Sequence, residues 1–130
     1  MEIDRSRSNK VVLDTNALLS IEELKMDILE ELRGMGYKEF IVPSPVLLEI
    51  KKISGGRSRA SIAARIALKF IERLRVVETG IKNADESVID VARSENAVIF
   101  TNDKRLRAKA ENQGIPVIYI RNLKVLKEKG

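Results

Sequence analysis

The chain alternates short apolar runs with longer stretches in which apolar residues recur every three or four positions. In "VVLDTNALL" the run Val11 to Leu13 is bounded by polar residues and predicts a strand, while "NALLSIEELKMDILEELRGMG" behind it predicts one or two helices ending at Gly34 or Gly36. "EFIVPS" predicts a second strand stopped by Pro43, and "SPVLLEIKKISGG" a helix with Pro45 in its first turn and Gly55-Gly56 beyond its end. "SRASIAARIALKFIERL" predicts a longer amphipathic helix and "RVVETG" a short third strand. "ADESVIDVARSEN", "AVIFTND", "DKRLRAKAENQG" and "IPVIYI" then read as helix, strand, helix, strand.

Strands joined by helices of about a dozen residues make right-handed parallel crossovers. The expected fold is therefore α/β, a three-layer α/β/α arrangement around a central parallel sheet of about four or five strands. Residues 1–130 are expected to form a single domain, with "RSRSNK" and "KVLKEKG" as frayed tails.

Hydrophobic residues make up 44% and charged residues 33%, the balance of a globular chain rather than a disordered one. "MEIDRSRSNK" lacks the apolar stretch of a secretory signal and no run approaches a membrane span, so a cytoplasmic home without membrane contact is expected. Cysteine and histidine are both absent, which excludes disulfides, thiol nucleophiles, zinc clusters and imidazole acid/base chemistry. Carboxylates, hydroxyls, amines or a hard metal must carry any reaction.

Two corners share a grammar. "VVLDTN" and "AVIFTND" both end an apolar strand in polar residues at the turn into a helix, where open α/β sheets place their ligands. Asp14, Asn102 and Asp103 have an ordinary alternative there, since such side chains cap helices. In "ADESVIDVARSEN", helical spacing puts Asp85 inside the apolar arc of Val88, Ile89, Val91 and Ala92, with Glu86 and Asp90 pointing away. A cap or a dipole-favoured acid is the alternative reading. Glu49 falls at the edge of the apolar side of its helix, where a solvated Glu beside Lys51 and Lys52 is equally ordinary. Together these acids face one sheet, and converging carboxylates repel unless a positive charge sits among them. An all-oxygen set selects Mg²⁺ or Mn²⁺.

"VVLDTNALL", the Glu of "PSPVLLEIKK", "ADESVIDVA" and "VIFTNDKRLR" together resemble the PIN-domain nucleases, in matching order over nearly the whole chain. The resemblance implies that Asp14, Glu49, Asp85 and Asp103 surround a catalytic Mg²⁺ or Mn²⁺ site. Asn16 and Thr101 match supporting polar positions, with Asn102 beside them. It further implies an endoribonuclease that cuts single-stranded or structured RNA with metal-activated water, leaving a 3′-hydroxyl and a 5′-phosphate. "TNDKRLR", the Asp85-Glu86 pair and "GIPVIYI" resemble the archaeal ribosomal-RNA-processing branch more than the VapC-type toxins. A toxin working with an antitoxin and a non-catalytic RNA-binding PIN module are the alternatives. Other phosphate chemistries fit poorly: "DTN" lacks the second Asp of a haloacid-dehalogenase-type phosphatase, and no Gly-rich loop with Lys is present.

RNA is the expected partner. The net charge is +5, and residues 51–75 carry eight Lys or Arg against one acid. Lys51, Lys52, Arg57 and Arg59, on what reads as a flexible basic loop, and Lys104, Arg105 and Arg107 beside Asp103 are the candidate RNA contacts, with a solvated helix face as the alternative. Aromatic residues are only 4%, so backbone or shape recognition is expected over base stacking. The apolar side of "SIAARIALKFI" is either ordinary core or the face of a homodimer. A ribosome-assembly partner goes with the processing reading.

Overall fold

The computed structural model describes residues 8–24, 27–121 and 124–129. The elements run β1 (Lys10–Leu13), α1 (Thr15–Leu24), α2 (Ile28–Gly34), β2 (Glu39–Pro43), α3 (Ser44–Ser54), α4 (Arg59–Ile71), β3 (Arg75–Val77), α5 (Ala84–Glu95), β4 (Val98–Phe100), α6 (Lys104–Asn112), β5 (Val117–Arg121) and β6 (Lys124–Lys129). The strands form one sheet in the order β3-β2-β1-β4-β5-β6. β1 to β5 pair in parallel, as expected.

The chain moves outward from β1 to β2 and β3, then crosses back to start β4 on the other side of β1. This reversal is the topological switch point, and right-handed crossovers in opposite directions put helices on opposite faces. β1 and β4 are covered on both faces: Val11, Val12, Leu13, Val98, Ile99 and Phe100 are all buried. Parallel pairing of Leu13 with Phe100 brings their carboxyl ends side by side. Asp14 and Thr101, one residue further on each strand, therefore meet.

The expected helix positions hold, with local reasons for each boundary. Between β1 and β2 there are two helices, the second started by Asp27, whose carboxylate accepts from Glu30 N at 3.1 Å. Ser58 caps α4 and Asn83 caps α5 in the same way. Asn96 ends α5 in the left-handed region, at φ 54°.

Two expectations change. The end expected to fray instead forms β6, which pairs antiparallel with β5; it satisfies the outer hydrogen-bonding edge that β5 would otherwise leave open. The stretch "KKISGGRSR" is not a flexible loop. α3 continues to Ser54, and Arg65 Nη1 donates to the carbonyls of Ser54 and Gly56 at 2.7 and 3.1 Å, closing a tight turn. A Cβ at position 56 would stand 2.6 Å from the hydroxyl of Ser61, which would have to turn away to admit it. The start of the other expected tail, residues 5–7, lies outside the described residues.

The far end of the sheet from Asp14 carries an ion network. Arg75 on the edge strand β3 reaches Glu39 at 2.8 Å and Glu95 at 2.9 Å, and Lys10 lies 3.4 Å from Glu95. It ties β1, β2, β3 and α5 together.

Candidate active site

Asp14 is 4% exposed. Its Oδ1 accepts from Ala17 N at 2.7 Å, capping α1, and its Oδ2 accepts from the Thr101 hydroxyl. Capping and site placement thus coincide. Burial raises its pKa to about 7, and the charges of Asp85 and Asp103 push the same way against the two hydrogen bonds. Two nearby acids thus add to the cost of ionising the buried one.

Thr101, fully buried, also accepts from Asp103 N at 3.0 Å. Asp103 caps α6, with Oδ1 taking Arg105 N at 2.8 Å and Leu106 N at 3.1 Å. Its other oxygen accepts no hydrogen bond among the described residues. Asn16 Oδ1 accepts from Asn102 N at 3.2 Å, and Asn102 Oδ1 from Ile120 N at 2.7 Å, a chain that fixes the corner between α1 and β5.

Asp85 corrects the helical-wheel expectation. The residue is exposed, and Ser87 takes the buried position instead, its hydroxyl donating to Ala84 O at 2.6 Å. The reason is position along α5: Asp85 lies in the first turn, whereas the buried residues run from Ser87 to Ala92. Asp90, expected to point away, is half-buried. The pKa of Asp85 is raised, first by partial shielding from water and then by Asp103, with Glu49 adding and Lys109 and Arg105 opposing. Glu49 itself is exposed on α3.

The structure therefore brings Asp14, Asp85, Asp103 and Glu49 into one electrostatic neighbourhood. As the side chains stand, no three acids among the described residues close around a single point. Asp85 and Glu49, exposed and free to change rotamer, are the ones that would swing inward. A hard divalent cation fits this set, because the donors are all oxygen, Asp103 has an oxygen to spare and the buried Asp14 lacks a countercharge.

Among the candidate RNA contacts, Lys51, Lys52, Arg57, Arg59, Lys104 and Arg105 are exposed. Arg59 and Asn16 line an open groove of about 650 Å³ between α1 and α4, together with Leu19, Glu22, Glu23 and Ile62. Arg107 differs: its guanidinium stacks 4.5 Å over Tyr119 and lies 3.8 Å from Glu111. Lys109, the fourth cation of the expected basic stretch "DKRLRAK", is exposed on the same face of α6 as Arg105. Ser44 was missed; its hydroxyl accepts from Thr79 N at 3.2 Å and holds the β3–α5 connection, a tertiary contact with no local signal. The apolar face of "SIAARIALKFI" is core, with Ser61, Ala63, Ala64, Ala67 and Ile71 buried.

An open parallel sheet with acids gathered at its switch point, and with no thiol or imidazole in the chain, defines an α/β protein with a carboxylate centre suited to a hard cation. A family model described as PIN like domain matches residues 11–123, and the chain belongs to the PIN-domain family. Ribonuclease VapC9 of Archaeoglobus fulgidus is 40% identical over 125 residues, covering 93% of this chain and 92% of that protein. Ribonuclease VapC4 of Methanocaldococcus jannaschii is 31% identical over 121 residues, covering 88% and 92%. Among solved structures, the PIN domain endonuclease Utp24 matches with a TM-score of 0.73 and 27% identity over 89% of this chain and 88% of that one. A domain of a functionally unknown M. jannaschii protein shares the fold at a TM-score of 0.62 and 20% identity, over 86% and 91%. No helix among the described residues is long and apolar enough to cross a membrane.

Proposed function

We propose that the protein is a divalent-metal-dependent endoribonuclease, with Asp14, Glu49, Asp85 and Asp103 holding Mg²⁺ or Mn²⁺. The observation that carries this reading is the neighbourhood of Asp14, Asp85 and Asp103, in which Asp85 and Asp103 disfavour ionisation of the buried Asp14. A divalent ion held there supplies an activated water and charge to stabilise the leaving oxygen. The chain's own residues do the rest. Thr101 and Ala17 N fix the Asp14 carboxylate, the first turn of α6 fixes that of Asp103, and Asn16 locks the corner between them. The exposed cations of α3, α4 and α6 track the phosphate backbone.

The names of the two relatives, at 40% and 31% identity across nearly full length, support RNA as substrate and a VapC-type ribonuclease as the first biological reading. Such a toxin is expected to work with an antitoxin. Ribosomal-RNA processing is the second reading, favoured by the "TNDKRLR" corner, while the likeness to the PIN domain endonuclease Utp24 supports endonuclease chemistry on this fold. The test is cleavage of labelled RNAs with Mn²⁺, Mg²⁺ or chelator. Metal-dependent cutting by the wild type and none by Asp14→Asn is expected; cutting that persists in chelator or in the variant overturns the proposal.

A further inference from the structure

A second concavity lies between α5 and α6, about 290 Å³ in volume and separate from the α1–α4 groove. Glu86 and Asp90 stand one turn apart on α5 with Arg93 following on the same helix, Lys109 lies on α6 and Gln113 just past its end, and Ile81 and Ile89 supply the apolar surface. Neither Glu86 nor Asp90 forms an ion pair with another described residue. None of these side chains is used by the metal centre. Lys109 is the link between the two places, since it lines this cleft while its charge also acts on Asp85.

The volume suits one planar ring system lying against isoleucine, and guanine is the base whose edges offer paired donors to a carboxylate together with acceptors for the cations and amide around it. A carboxylate accepts two parallel hydrogen bonds, and guanine presents two adjacent donors, N1–H and the N2 amino group, on its Watson–Crick edge. Its O6 and N7 are acceptors for the Lys109 ammonium and the Gln113 amide. Adenine and cytosine would point a ring-nitrogen lone pair at the carboxylate, and uracil offers a single donor between two carbonyls. Single-stranded RNA supplies such splayed bases.

We propose that the cleft between α5 and α6 is a base subsite that takes a guanine flanking the scissile phosphate, held by Asp90 or Glu86 on one side and by Lys109 and Gln113 on the other. The inference rests on the ribonuclease reading and deepens it. Backbone contacts grip RNA generally, and this cleft adds base choice at one position.

The experiment is binding of U-rich RNA heptamers with a central guanosine, inosine, adenosine or cytidine, followed by fluorescence anisotropy, with cleavage of the same RNAs read separately. The guanosine heptamer should bind about 10-fold to 100-fold tighter than the adenosine or cytidine ones. Inosine, which lacks the N2 amino group, should fall between. Asp90→Asn combined with Glu86→Gln should erase the guanosine preference, because the amides no longer favour paired donors over the edge of adenine. Equal binding of the four heptamers, no binding of any, or a preference that survives the double substitution overturns the subsite. A guanosine preference without any metal-dependent cutting supports the subsite and counts against the ribonuclease reading alone.

Discussion

The Thr101 hydroxyl donates to Asp14 Oδ2 between two buried residues that follow adjacent parallel strands. Thr101 Oγ1 also accepts from Asp103 N, so one side chain orients two acids at once. Thr101→Val keeps the shape and removes both bonds. Leaving buried polar groups unpaired costs ~1–3 kcal/mol. Thermal denaturation of the metal-free variant should show a loss in that range, and metal affinity should fall with it. An unchanged melting temperature would make the contact incidental.

The raised pKa of Asp14 gives stability a definite pH dependence. With the folded value at about 7 against 3.8 for the free group, the folded protein keeps a proton that the unfolded chain has lost between those limits. Stability is then greatest at low pH and declines as pH rises toward 7, by at most about 1.4 kcal/mol per unit. Asp85, also raised, adds in the same direction. Glu95 is lowered by Arg75, so its contribution disappears only as pH falls through the acid range below the ordinary value of 4.5. In chelator, the melting temperature should drop between pH 5 and pH 7, and Asp14→Asn should flatten the slope.

Exposure makes Asp85 a clean probe. Asp85→Asn disturbs no buried contact, so the melting temperature in chelator should change little, while metal-dependent RNA cleavage should fall by at least about 100-fold, more than the usual outer-shell loss. Retained cleavage would reduce Asp85 to a first-turn acid favoured by the helix dipole.

The candidate RNA cations separate into two kinds. Arg57→Glu with Arg59→Glu should weaken RNA binding and shallow its dependence on salt, with no loss of stability. Arg107→Ala should instead lower the melting temperature, because it removes the guanidinium from Tyr119, and should leave the salt slope nearly unchanged. Anisotropy titrations across a salt series distinguish the two.

The alternation of apolar runs with helical spacing made the parallel order and the helix positions legible, because strands buried on both faces are uniformly apolar. The strand-end acids were legible for the same reason, as polar residues where an apolar run stops. β6 was not, because "KVLKEKG" is mostly charged and gains its pairing from β5 rather than from its own pattern. Asp85 was misplaced because a helical wheel assigns faces without knowing where the sheet ends. The pinning of the basic turn by Arg65 joins residues 9 and 11 apart in sequence, a relation no local pattern encodes.

Calorimetric titration of Mn²⁺ into the chelator-stripped protein tests whether the four acids form one metal centre. Saturable binding that raises the melting temperature and is lost in both Asp14→Asn and Asp85→Asn is expected. Binding that survives both substitutions, or no binding by the wild type, would contradict a metal centre at the switch point of the sheet.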